Sequence, residues 1–365
     1  MSYLEKLLEG VEVEWKPLGE VAELKRGKTI TAKTKNAGNI PVISGGQKPA
    51  YYNAEYNREG ETITVAGSGA YSGYVMYWNE PIFISDAFSV IPNLAVLNTK
   101  YVFHFLLNNQ EWIHNLQKGS GVPHVYPKDL AKLLIPIPPL TVQKEIVRIL
   151  DSFTELTAEL TAELTARKKQ YSYYREQLLS FEEGEVEWKT LGEVFQMRAG
   201  QHISADNIST IKDDTYPFPC YGGNGVRGFV KNYSHDGGYV LIGRQGALCG
   251  NVQRFKGKFY ATEHAVVVTA TDSINIDYAF YFLTIMNLNQ YASKSAQPGL
   301  AVGKLSNLKI PLPSLEEQER IVTILDKFDM LTTSISEGLP REIELRKKQY
   351  EYYRDLLLTF KMSVL

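Results

Sequence analysis

The sequence predicts two α/β (α+β) globular domains in tandem, each followed by a long helix, with the two helices paired as an antiparallel coiled coil in a pseudo-two-fold, circular arrangement. Three observations predict this. An internal repeat starts its second copy near the chain's midpoint, each copy passes from alternating and aromatic stretches into helical apolar periodicity, and a proline-rich stop marks each passage. A chain of 365 residues also exceeds what one hydrophobic core usually supports.

The repeat opens with Glu12-Val13-Glu14-Trp15-Lys16-Pro17-Leu18-Gly19-Glu20-Val21, which returns as Glu185-Val186-Glu187-Trp188-Lys189-Thr190-Leu191-Gly192-Glu193-Val194. Ser44-Gly45-Gly46 is matched with Tyr221-Gly222-Gly223, and Gly69-Ala70 with Gly246-Ala247. Ile135-Pro136-Ile137-Pro138-Pro139-Leu140 answers to Ile310-Pro311-Leu312-Pro313-Ser314-Leu315. Gln143, Ile149-Leu150-Asp151 and Phe153 answer to Gln318, Ile324-Leu325-Asp326 and Phe328, and Arg167-Lys168-Lys169-Gln170-Tyr171 to Arg346-Lys347-Lys348-Gln349-Tyr350. The interiors, Thr29 to Lys128 and His202 to Lys304, share little beyond glycines and aromatics. One scaffold therefore carries two different surfaces.

These matches divide the chain into a first globule over 1–140, a central helical spacer over 141–183, a second globule over 184–315 and a C-terminal helical spacer over 316–365. Strands are expected at Glu61–Val65, Gly73–Trp78 and Gly238–Ile242, and short helices at Lys100–Leu116 and Asp277–Ser293. From Thr141 to Phe181 apolar residues recur every three or four positions without Gly or Pro, which predicts one helix about 60 Å long whose seam needs a partner. The second helix repeats that seam but contains Gly338-Leu339-Pro340, which should kink or break it. Inside the first, Glu155 to Ala166 is a tandem Glu-Leu-Thr-Ala repeat, read as a ruler that sets domain separation. Residues 1–10 look like the tail of a helix missing its body, so this stub should pack near the end of the C-terminal helix.

Apolar content of 44% and charged content of 22% exclude a disordered or fibrous chain. A net charge of −2 excludes a protein that coats nucleic acid by bulk electrostatics. Charge is local instead. Lys25, Arg26, Lys28, Lys33, Lys35 and Lys48 form one acid-free strip, and Arg244, Arg254, Lys256 and Lys258 a second. Cys220 and Cys249 are too few for a disulfide framework or a cysteine metal site and read as buried packers. The lack of a long apolar run and of a leader peptide leads to the expectation of a cytoplasmic protein without membrane contact.

No catalytic or metal motif survives inspection, and no cofactor is expected. Gly299 to Lys304 has the wrong spacing for a phosphate loop and no following Ser or Thr. Gly222-Gly223-Asn224-Gly225 lacks the dinucleotide-binding spacing, and the six histidines show no zinc-ligand spacing. The Asn-Pro-Pro-aromatic tetrad of amino-methyltransferases is absent. Asp86 and Glu263 occupy matching positions and read as structural.

A tandem of variable globule plus similar helix, each opening on Trp-Lys-x-Leu-Gly-Glu (Pro17 or Thr190 at x) and closing on Ile-Pro-x-Pro, resembles the specificity subunits of type I restriction-modification systems over essentially the whole chain. Gln143-Lys144-Glu145-Ile146 and Gln318-Glu319-Arg320-Ile321 sit where that family starts its helices. The resemblance implies two target recognition domains, each reading half of a split, asymmetric site in double-stranded DNA. It also implies helices that dock two copies of a methyltransferase subunit, joined by motor-nuclease subunits in the full complex, and no catalysis by this chain. Two half-sites read from one face lie about one helical turn apart, roughly 34 Å, and a rigid rod would hold that distance.

Base and phosphate contacts are expected from polar side chains on glycine-bearing loops. In the first half these are Lys25, Arg26, Lys28, Ser44, Gln47, Lys48, Tyr51, Ser68, Tyr71, Lys118 and His124. In the second they are Arg198, Gln201, Tyr221, Asn224, Arg227, Arg244, Gln245, Asn251, Arg254 and Lys304. The rival readings are a stand-alone DNA-binding regulator, which would need a self-sufficient basic surface, and a scaffold whose globules bind protein.

Overall fold

A computed structural model describes residues 7–30, 37–182, 184–246, 248–294 and 298–360. Lys33, Lys35, Ala247 and the first six residues of the stub lie outside them. The chain divides into two units, Met1–Ala162 with Arg341–Leu365, and Glu163–Pro340.

The first unit begins with β1 (Glu14–Pro17), α1 (Leu18–Val21), β2 (Ala22–Arg26), β3 (Ile40–Ile43) and β4 (Tyr51–Asn53). It continues through β5 (Glu61–Ala66), β6 (Val75–Asn79), β7 (Phe83–Ile84) and β8 (Ala87–Pro92). Helices α2 (Thr99–Asn108), α3 (Gln110–His114) and α4 (Pro127–Leu130) follow, then β9 (Leu134–Ile137) and the long α5 (Leu140–Leu178). Its sheets run β2-β8-β5-β6, β4-β3-β7 and β1-β9.

The second unit follows the same path through β10 (Glu187–Thr190), α6 (Leu191–Val194), β11 (Phe195–Ala199), β12 (Phe218–Gly222) and β13 (Gly225–Val230). Then come β14 (His235–Gly243), β15 (Val252–Ala261), β16 (Ala265–Ala270), α7 (Ile276–Ile285), α8 (Val302–Ser306) and β17 (Lys309–Leu312). Helices α9 (Leu315–Thr333) and α10 (Gly338–Leu358) close the chain, α10 falling mainly in the first unit. Here β11-β16-β14-β15-β12-β13 form one sheet. The difference from the first unit has a local cause. The ten-residue β15 spans the stretch that in the first unit is split into β6 and β7, where Pro81 removes a ladder donor.

The repeated Trp-Lys-x-Leu-Gly-Glu motif is a strand that turns into a one-turn helix. Leu18 and Leu191 are fully buried beneath it. Gly19 and Gly192 let that turn approach Ala131 and Ser306, where a Cβ would stand 2.9 and 3.2 Å from the facing side chain. Thr190 and Glu193 form a capping box in the second copy, a role Pro17 cannot fill in the first. The Ile-Pro-x-Pro closure pairs with the same motif, since Trp15 lies opposite Pro136 and Trp188 opposite Pro311.

Each globule is locked to the start of its helix by a buried glutamine. Gln143 Oε1 accepts from the Asn98 amide at 2.8 Å, and its Nε2 donates to the carbonyls of Val96 and Pro138, both at 2.8 Å. Gln318 repeats the pattern with the Asn275 amide at 2.7 Å and the carbonyls of Ser273 and Pro313. Beside these locks, Tyr101 and Tyr278 donate to the carbonyls of Pro136 and Pro311 at 3.0 and 3.1 Å.

The long helix runs unbroken, as its periodicity predicts. The second is interrupted at residues 334–337, ahead of Gly338 at φ +80°. In the first unit Phe153 of α5 stacks on Tyr353 of α10 at 5.2 Å, and in the second Tyr174 of α5 stacks on Phe328 of α9 at 5.6 Å. Leu7 and Leu8 of the stub join the cluster that holds Leu357 and Leu358, where the circular reading puts them. Cys220 and Cys249 are buried, and burial pushes the Cys220 thiol up to about 11.

Candidate nucleic-acid interface

In each unit four loops converge at one end of the sheet, held by the same backbone hydrogen bonds. In the first, the Lys28 amide donates to the Ile84 carbonyl at 3.0 Å and the Val125 amide to Gly67 at 3.1 Å. In the second, Gln201 donates to Ala261 at 2.9 Å and Leu300 to Arg244 at 2.8 Å. The amides of Gly69 and Gly246 donate to Pro123 and Pro298, both at 2.9 Å.

Glycine makes the convergence feasible. A Cβ at Gly27 would lie 2.3 and 2.4 Å from the carbonyl oxygens of Ile84 and Ser85, and one at Gly200 equally close to those of Ala261 and Thr262. Gly27→Ala is therefore expected to cost about 2 kcal/mol or more by overpacking, or to push the loop outward. Chemical denaturation of the variant checks this, and a loss below ~0.5 kcal/mol would contradict it.

The first unit's loops enclose a cleft of about 430 Å³ whose lining includes Arg26, Ser44, Asp86, His124 and Tyr126. Ser68 donates its hydroxyl to Asp86 Oδ2 and pairs through its backbone with His124. Lys25 and Lys28 are exposed on either side of Arg26, and Gln47, Lys48 and Tyr71 are exposed on the neighbouring loops. Tyr51 reaches in to donate to the Ile30 carbonyl at 2.5 Å. Lys118 pairs with Asp129 at 2.7 Å.

In the second unit the acid is Glu263, facing His202 at 3.1 Å and His264 at 3.4 Å. Burial opposes ionisation of Glu263, but hydrogen bonds from its own amide and from His202 prevail and hold its carboxyl below the ordinary 4.5. His264 Nδ1 lies 2.7 Å from Gln245 Oε1, and Arg244 donates to the Glu263 carbonyl at 3.4 Å. Arg198, Gln201, Arg227 and Lys304 are exposed, and Asn251 donates to Asn224 at 3.3 Å.

Two expected contacts are placed elsewhere. Tyr221 is 8% exposed, its ring packed between Phe255 and Phe259. The strand pairing explains this, because Val42–Phe83 and Ile43–Ile84 correspond to Cys220–Tyr260 and Tyr221–Ala261. Tyr221 thus takes the place of buried Ile43, and the counterpart of Ser44 is Gly222, one residue from the match read in the sequence. Arg254 is held by Asp277 at 3.2 Å, Asp326 at 2.7 Å and Asp329 at 3.7 Å, with Phe280 and Tyr281 beneath its guanidinium. Burial alone would lower its pKa, yet Asp326, Tyr281 and Asp277 raise it. Its donors are committed to the helices.

Tyr126, Lys128 with its Nζ 5.9 Å from the Tyr126 ring centroid, His202 and His264 were absent from the expected set. Only the proximity of Tyr126 and Lys128 to His124 could have suggested the first two. Asp86 accepts from Ser68, and Glu263 faces two histidines. No group of three or more metal-ligating side chains occurs among the described residues.

Comparison with known proteins agrees with this geometry. The family described as "Type I restriction modification DNA specificity domain" matches residues 10–167 and 183–345. The chain is 50% identical to the EcoprrI type I restriction enzyme specificity subunit of Escherichia coli, with 92% of each chain covered. It is 36% identical to the EcoR124I/EcoR124II specificity subunit of the same organism, covering 99% of this chain and 97% of the other. The crystal structure of a type I S subunit from M. genitalium superposes with a TM-score of 0.71 at 20% identity, covering 99% of this chain and 100% of that one.

Proposed function

The chain belongs to the type I restriction-modification DNA specificity family, and from that premise we propose that each unit reads one half of a split, asymmetric target in double-stranded DNA. The domain limits that go with this reading are 1–140 and 184–315 for the two readers and 141–183 and 316–365 for the helical spacers. The chain catalyses nothing itself. Its helices dock two copies of a methyltransferase subunit, with motor-nuclease subunits joining in the full complex, and it works in the cytoplasm.

One observation carries the reading. The same four-loop end, tied by the same backbone bonds, presents Arg26, Ser44, Asp86 and His124 in one unit and Gln201, Gln245, Glu263 and His264 in the other. A common frame with different polar side chains is what two base-reading surfaces of different specificity require. Near-neutral net charge supports reliance on partners for much of the phosphate contact.

The test is selection from a randomised duplex library, by the full chain alone and with its methyltransferase subunit. A split motif with a fixed spacer, recovered only with the partner present, is expected. One continuous site recovered by the chain alone would favour a self-sufficient regulator, and no selectivity under either condition would favour a protein scaffold.

A further inference from the structure

We infer that the cleft of the first unit reads one G·C base pair, with Arg26 on the guanine and Asp86 on the cytosine. The inference rests on the half-site reading above and gives that site its chemistry. Arg26 leaves the end of β2 with its guanidinium 5.7 Å from the centroid of the Tyr126 ring. No hydrogen bond or ion pair engages that guanidinium among the described residues. The strand end that aims it is fixed, because Arg58 donates to the carbonyls of Lys25 and Arg26, both at 3.4 Å, and Ser89 to that of Lys25 at 3.2 Å. Tyr126 is held as a platform, stacked on His124 with centroids 6.0 Å apart and an interplanar angle of 13°.

Asp86 lines the same cleft. Its Oδ2 takes the Ser68 hydroxyl, while Oδ1 carries no hydrogen bond among the described residues. The cleft therefore offers a planar fork of donors and an open carboxylate acceptor. A guanidinium fork matches the O6 and N7 acceptors on the major-groove edge of guanine, and a carboxylate accepts from the exocyclic amine of cytosine. A phosphate in the cleft would meet the same carboxylate as a like charge, so base-edge contact is favoured over backbone contact.

The second unit marks the limit of the inference. The shared loop bonds put Ala199 at the place of Arg26, Ala301 at that of Tyr126 and Gly303 at that of Lys128, and its acid faces two histidines. Only one half-site should depend on this pair.

The experiment is duplex selection by the full chain with its methyltransferase subunit, comparing the unmodified chain with Arg26→Lys, Asp86→Asn and Tyr126→Leu. Arg26→Lys keeps the charge but not the fork. It is expected to lose about tenfold or more in preference for guanine at one position of one half-site, leaving the other half-site and the spacer intact. Asp86→Asn should weaken preference at that same base pair, and Tyr126→Leu, as loss of a positioning residue, should do so partially. The intact half-site reports that the variants are folded. Uniform weakening with every base preference retained, an effect on both half-sites, or an effect at an A·T pair would overturn the inference and leave the half-site reading standing. Failure of the unmodified chain to select any split sequence would overturn both.

Discussion

Gln143→Leu is expected to lower stability by about 2–4 kcal/mol, because leucine fills the space but returns none of the three hydrogen bonds that Gln143 makes. The residue is fully buried, and two of its bonds go to the segment leading into α2, one to the amide of that helix's N-cap, Asn98. The substitution thus strands a donor and two acceptors where the globule meets α5. A surface substitution of similar size changes stability by less than about 0.5 kcal/mol. Urea denaturation gives the magnitude and amide hydrogen exchange the location. Faster exchange should appear in α2 and not in α7, whose N-cap is held by Gln318. A loss below ~1 kcal/mol would mean that water replaces the glutamine at this junction.

The same residue shows which features can be read from sequence. Gln143 and Gln318 were visible as a matched pair, as were the buried Leu18 and Leu191 of the opening motif and the closing prolines opposite Trp15 and Trp188. These positions recur because both copies solve one packing problem, joining a globule to a helix. The convergence of loops was not visible. It depends on backbone bonds such as Val125 to Gly67, between segments far apart in sequence whose side chains differ between the copies. Arg254 looked like a free cation because the three acids that surround it come from α7 and α9. The match of Ser44 with Tyr221 was one residue off because neighbouring glycines on both sides make that shift invisible to pattern. Pro81 stands at the split of β6 from β7, although a proline alone does not say whether a strand ends or bulges.

Deleting one four-residue Thr-Ala-Glu-Leu unit from α5 is expected to shorten the preferred spacer between half-sites by one or two base pairs, under the split-site reading. The repeat is free to act as a length element. The compact units divide inside it, between Ala162 and Glu163, and the buried residues of α5 all lie at its start, from Gln143 to Leu150. Leu156, Leu160 and Leu164 are half-buried, whereas Glu155, Glu159 and Glu163 are exposed, so the segment contributes a seam and no globule core. Removing four residues shortens a helix by about 6 Å, close to two steps of roughly 3.4 Å along DNA. It also turns the helix by about 400°, some 40° past a full turn, close to the twist of a single base pair at 10–10.5 per turn. Length therefore asks for two base pairs and rotation for about one, and the balance lies between them. Deleting Ala162 alone separates these terms. It shortens the helix by only about 1.5 Å but swings the C-terminal half of α5 by about 100°, which no small change of spacer restores. Selection from randomised duplexes should then return a split site with a shorter spacer for the four-residue deletion and no split site for the single one. The same spacer in both variants as in the unmodified chain would show that α5 does not set the distance.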